Sequence, residues 1–76
     1  DKMSLKVYPN PSNSTITIEN QSVSAQNVEV FNMIGQKILD VVIEGKEKLS
    51  ETVVEWPQGV YILRSTKGGI QKLLVN

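Results

Sequence analysis

The chain has 76 residues, with eight basic and eight acidic side chains, no cysteine and no histidine. A length of this order fits one domain that buries roughly 60% of the surface its unfolded chain exposes, and a net charge of zero gives no basic patch for neutralising nucleic-acid phosphates. Disulfide and thiol chemistry are excluded, and the commonest general base and metal ligand is missing.

No apolar run approaches the roughly 18 residues of a membrane helix. The first residues, DKMSLK, have no apolar signal-peptide core. The chain does not begin with Met, so we read it as a piece of a longer precursor.

In chain order, the first punctuation is VYPNPSN at 7–13. Pro9 and Pro11 fix their own φ and push Tyr8 and Asn10 toward extended conformations. Proline cannot donate to a ladder, so this segment is expected at a sheet edge or in a crossing between sheets, after a first short strand. TITIE at 15–19 puts Ile16 and Ile18 on one face and Thr15, Thr17 and Glu19 on the other. NQSVSAQN at 20–27 is uncharged and turn-rich, which predicts a connection. VEVFN at 28–32 sets Val28 and Val30 against Glu29, with Phe31 on the polar side.

NMIGQ at 32–36 reads as a hairpin with a three-residue loop, closed by Gly35 in the left-handed region. QKILDVVI at 36–43 is apolar on both faces, and its β-branched content favours a strand over a helix. EGKEK at 44–48 is a polar loop around Gly45. ETVVEW at 51–56 and VYILRS at 60–65 read as strands, KGG at 67–69 as a tight turn, and IQKLLV at 70–75 as the last strand. Six or seven strands at this spacing predict an all-β antiparallel sandwich or barrel.

Catalytic chemistry finds few parts. There is no G-x-S-x-G elbow and no S-x-x-K spacing. Glu44, Glu47, Glu51 and Glu55 gather mid-chain but interleave with Lys46 and Lys48, the pattern of a solvated loop rather than a carboxylate pair in a cleft or a calcium site. Two N-x-[ST] sequons, at Asn13 and Asn20, lie in a stretch so rich in Asn, Ser and Thr that they carry little weight. Trp56 and Tyr61 suit a carbohydrate platform or a pair of core anchors. With only four aromatic residues in the chain, a small core has first claim on them.

Four pieces follow one another in a distinctive order: YPNPSNSTITIE, VEVFNMIGQKIL, WPQGVYILRS and KLLVN. In this order, from about Val7 to Asn76, the chain resembles the type A C-terminal sorting domain of the type IX secretion system of Bacteroidota. Pro9, Asn10 and Pro11 match the first motif of that family, and Gly35 matches the hairpin glycine. Pro57, Gly59 and Tyr61 match P-x-G-x-Y, and Lys72, Leu73, Leu74 and Val75 match the terminal motif. Trp56 stands where leucine is usual, and Asn76 where a basic residue is usual.

The resemblance implies a small Ig-like antiparallel β-sandwich, one sorting domain over residues 1–76, at the C-terminus of a larger exported protein. It implies an address label rather than an enzyme, with no metal or other cofactor and no nucleic-acid partner. Its partners would be outer-membrane components of the type IX translocon, a sortase-like cysteine peptidase that removes the domain, and an upstream cargo domain in the same precursor. The route would run through the periplasm to the cell surface or the medium.

A final strand at a sheet edge also suits capture by β-augmentation, recognition of a terminal carboxylate, or a weak edge-strand dimer. Two other readings stay open on the residues alone: a β-sandwich binding module for carbohydrate or protein, and a passive spacer of a cell-surface protein.

Overall fold

Period-two alternation decides which side chains enter the core. The computed structural model describes residues 4–9, 14–66 and 69–76. Among these residues there are seven strands and no helix: β1 (Leu5–Tyr8), β2 (Thr15–Asn20), β3 (Gln26–Phe31), β4 (Lys37–Ile43), β5 (Lys48–Thr52), β6 (Gly59–Ser65) and β7 (Ile70–Val75). They form two sheets, ordered β1-β2-β5 and β4-β3-β6-β7, and every pairing is antiparallel. The architecture is the small Ig-like sandwich that the resemblance implies.

Ile16 and Ile18 of β2, Val28 and Val30 of β3 and Leu63 of β6 are completely buried between the sheets, and Tyr61, Leu73 and Val75 join them. Each such aliphatic side chain stabilises the fold by about 1.5–3 kcal/mol relative to exposure. Phe31 is half-buried on the outer face of the larger sheet, on the polar side as its alternation demands.

Several expectations are corrected. The segment 51–56 is not a strand throughout. β5 starts at Lys48 and stops at Thr52 because its partner starts at Thr15, the residue opposite Thr52. Val53 then turns into the core, its N–H donating to the Ser14 carbonyl (2.8 Å), and the Trp56 N–H closes a turn on the Val53 carbonyl (2.9 Å). The connection predicted at 20–27 is shorter, since Asn20 ends β2 while Gln26 and Asn27 open β3. Lys48 likewise belongs to β5 and not to the loop before it.

In that loop the left-handed residue is Lys46, at φ 62°. Gly45 serves a close approach instead, because a Cβ there would lie 2.1 Å from the Val23 carbonyl oxygen. The β1–β2 connection does not cross between sheets, for its two strands are neighbours in one sheet. β1 is an edge strand followed directly by Pro9, as a residue without a donor requires. Asn10, Pro11, Lys67 and Gly68, which carry parts of the proline motif and of the 67–69 turn, lie outside the described residues.

The strand directions sort the connections onto two ends of the sandwich. Ser4 and segments 21–25 and 44–47 lie at one, with Ser65 and Ile70. The end of β1, the start of β2, hairpin loop 32–36, segment 53–58 and the end of β7 lie at the other. We call these the Ser4 end and the Gly35 end.

Candidate functional site

The Gly35 end collects most of the residues matched to motifs. Gly35 sits at φ 89° and closes the β3–β4 hairpin as expected. Its N–H donates to the Asn32 carbonyl (3.0 Å), and the Asn32 N–H donates to the Gln36 carbonyl (2.9 Å). The Asn32 side chain accepts from the backbone N–H of Ile34 and of Gln36, so the loop is fixed from within. The register shift between Val30 and Phe31 makes room for Ile38 beside the loop.

Pro57 and Gly59 flank the start of β6, opposite this loop. Tyr61 is 4% exposed, and its hydroxyl donates back to the Pro57 carbonyl. That bond satisfies the one polar atom of a buried ring and pins segment 57–61. Trp56 is half-buried, with its ring centroid 5.2 Å from that of Tyr61 and the planes inclined by 44°. The two rings therefore act chiefly as core anchors, and only Trp56 retains an accessible surface.

A concavity of about 320 Å³ opens between the hairpin loop and segment 55–61. Met33, Ile34, Ile38, Trp56 and Pro57 supply most of its apolar wall, and Glu55 is its one charged lining residue. Met33 (67% exposed) and Ile34 (80% exposed) stand at the tip of the turn, where polar residues are the rule. Sequence reading singled out Trp56, Pro57, Gly59 and Tyr61 here, passed over Met33, Ile34 and Ile38, and weighed Glu55 only as one of the mid-chain carboxylates. The available signal was an adjacent Met-Ile pair inside a predicted turn.

The terminal motif is placed by alternation. Leu73 and Val75 are buried, whereas Lys72 and Leu74 face outward on β7, an edge strand that runs to Gly59 at this end. Pro9 is exposed and follows β1 at the same end. Gly35, Gly59, Pro9, Pro57 and the end of the terminal strand thus converge, whereas Lys72 lies further along β7, opposite Ile62.

The outer face of the larger sheet carries a charge ladder. Glu29 accepts from Arg64 (2.9 Å) and Lys37 (3.1 Å), and Lys37 also pairs with Asp40 (2.9 Å). Hydrogen bonds from Arg64, then Lys37, hold the Glu29 carboxyl below its ordinary range. Asp40 is lowered by Asn27 and Lys37, and Lys37 is raised by Asp40 and Glu29. The Arg64 guanidinium lies 4.9 Å from the Phe31 ring centroid, a cation–π contact. These charges satisfy one another across the strands.

The Ser4 end differs in kind. Asn20 and Gln26 are buried, and sequence reading missed both. The Asn20 amide donates to the carbonyls of Ser24, Ile43 and Glu44, while its oxygen accepts from Gln26, the Ser22 hydroxyl and the Ser22 N–H. Gln26 donates to the Ser4 hydroxyl (2.7 Å) and accepts from Ser65. The Asn20 sequon is thus committed to internal bonds. The four mid-chain glutamates do not converge: Glu51 lies in β5, Glu55 borders the concavity and the other two lie in segment 44–47. Among the described residues no group of three acidic or metal-ligating side chains could hold a metal ion.

Among the described residues, the Ig-like sandwich gathers most of its motif-matched positions at one end. A family model described as secretion system C-terminal sorting domain matches residues 6–76, and the chain belongs to that family. No curated protein matches it. The family is not an enzyme family. It carries the sorting signal for type IX secretion, which acts with the secretion machinery on a cargo precursor and leads to the cell surface or the medium.

Proposed function

We propose that this chain is a cleavable address label whose Gly35 end is read by an outer-membrane component of the type IX translocon while cargo hangs from the Ser4 end. The observation that carries this reading is the segregation of the two ends. Gly35, Pro57, Gly59, Tyr61, Pro9, Leu74 and Val75 stand at one end, and the chain enters the fold at the other, where Ser4 is clamped by Gln26. Asn10 and Pro11 belong to the same motif as Pro9. Lys72 and Leu73 complete the terminal strand, the first facing outward and the second anchoring it in the core.

On this reading residues 1–76 act as one sorting domain of a larger exported protein. The precursor crosses the periplasm folded, and a sortase-like cysteine peptidase removes the label after export. Such a label needs rigidity and a surface, not a catalytic centre. The half-buried Trp56 and the closed Tyr61–Pro57 bond offer a sugar only one ring, which disfavours the carbohydrate module.

The test is a reporter export assay in a type IX-competent strain. Residues 1–76 are fused behind a signal peptide and a fluorescent protein, with one version lacking residues 72–76 and one carrying Leu74→Ser. The deletion removes the buried Leu73 and Val75 and therefore also unfolds the domain, whereas the outward Leu74 variant keeps the fold. Export of the parent with periplasmic retention of folded Leu74→Ser supports the reading. Retention of the folded parent overturns it.

A further inference from the structure

The concavity at the Gly35 end has a chemistry of its own. Its wall is apolar and aromatic, and it is about 320 Å³ in volume, within the range of ligand pockets. Its single charged lining group is the Glu55 carboxylate, which is exposed and has no ion pair among the described residues. No cation lines it. Lys37, next in sequence to Ile38 of the lining, is already bound to Glu29 and Asp40.

An apolar slot with an indole on one side and an unpaired carboxylate at its rim is complementary to one kind of group: a long aliphatic stem that ends in a cation. We propose that this pocket takes an arginine side chain, flanked by apolar residues, of an extended partner polypeptide. The stem packs on Ile34, Ile38 and Trp56, and the guanidinium reaches Glu55 and the indole face. This deepens the sorting reading, on which its cellular meaning rests, by naming what a partner must bring to the Gly35 end. It also accounts for Met33 and Ile34 at the hairpin tip, apolar residues that the core does not use.

Trp56 is the only tryptophan of the chain, so its fluorescence reports on the pocket directly. The whole 76-residue chain is titrated with acetyl-Leu-Arg-Leu-amide, acetyl-Leu-Glu-Leu-amide and a neutral oligosaccharide, at low and high salt. The expected result is a saturable change with the arginine peptide alone, weakened by salt. Amide and methyl shifts in NMR spectra should map it to Trp56, Met33 and Ile34. Glu55→Gln, a change at an exposed turn residue, should weaken that binding by about threefold to fivefold with an unchanged unfolding midpoint.

An equal response to both peptides would leave only non-specific apolar contact and overturn the proposal. So would a response to the sugar alone, no saturable response, or shifts that map elsewhere. The reporter assay separates the two levels: a folded Glu55→Gln whose peptide binding is weakened as expected, yet which is fully exported, sinks the assignment of this pocket to sorting and spares the sorting reading. Retention of the parent fusion sinks the sorting reading while the peptide titration stands.

Discussion

The two ends of the sandwich solve opposite problems. At the Ser4 end, polar side chains go inward: Asn20, Gln26 and Ser65 are buried and bonded to one another or to loop carbonyls. Exposed apolar side chains occur at both ends, Val23 and Ile70 at the Ser4 end and Met33, Ile34 and Val54 at the Gly35 end, but at the Gly35 end Met33 and Ile34 border a concavity. A buried amide that makes every bond it can ties loops together from within. Exposed apolar groups on a rigid turn do nothing for the monomer and suit contact with something else. The contrast separates the end that secures the fold from the end that presents it.

The largest effect is expected from breaking the secure end. Asn20→Ala removes the donor of three carbonyls and the acceptor for Gln26 and Ser22, and should cost about 3–4 kcal/mol in urea unfolding. That is a large share of what a chain of this size has, and a loss under about 1 kcal/mol would show that water replaces the amide without strain. Gly45→Ala forces the Val23 carbonyl aside and should cost about 2 kcal/mol by the same measurement. At the other end, Tyr61→Phe removes the bond to Pro57 and should cost only about 1 kcal/mol, together with a shift in Trp56 emission as segment 57–61 loosens.

The double change Met33→Ser, Ile34→Ser sharpens the comparison most. It should alter stability by no more than about 0.5 kcal/mol yet lower reporter export, and a destabilised double variant would mean that the hairpin tip serves the core after all.

The smallest effect belongs to the ladder on the larger sheet, which lies between the two ends. Glu29 and Asp40 are held below their ordinary values, so their contribution is whole above the ordinary carboxylate range and is lost as pH falls through the depressed values. Lys37 is held above its ordinary value, so its share is whole below the ordinary lysine range and is lost as pH rises through the raised one. Urea midpoints against pH should show a plateau through neutrality with shallow losses at both extremes. Lys37→Met should flatten both flanks.

Local alternation carried much of the fold. Ile16, Ile18, Val28 and Val30 were placed inward, Phe31 outward and Gly35 in the left-handed turn from neighbours alone, because period two and positive φ are properties of a few adjacent residues. The motif order also carried the family, since Pro57, Gly59 and Tyr61 and the final KLLV run lie within short stretches. The extent of β5 was not legible. Val53, Val54 and Trp56 read as a strand by composition, and only the start of β2 at Thr15 denied them a partner. Asn20 and Gln26 looked like loop residues because their type predicts turns, and their burial depends on partners distant in the chain, the Ile43 and Glu44 carbonyls for Asn20 and the Ser4 and Ser65 hydroxyls for Gln26.

The sequence by itself thus determined an all-β fold and the hairpin at Gly35, both written in local spacing, and the ordered motifs of the sorting family, whose resemblance implied the sandwich. The tertiary structure alone decided which end each motif occupies, and that Met33, Ile34, Trp56 and Glu55 border one concavity. Pairing and packing between distant strands bring those residues together, and no window of neighbouring residues contains that information.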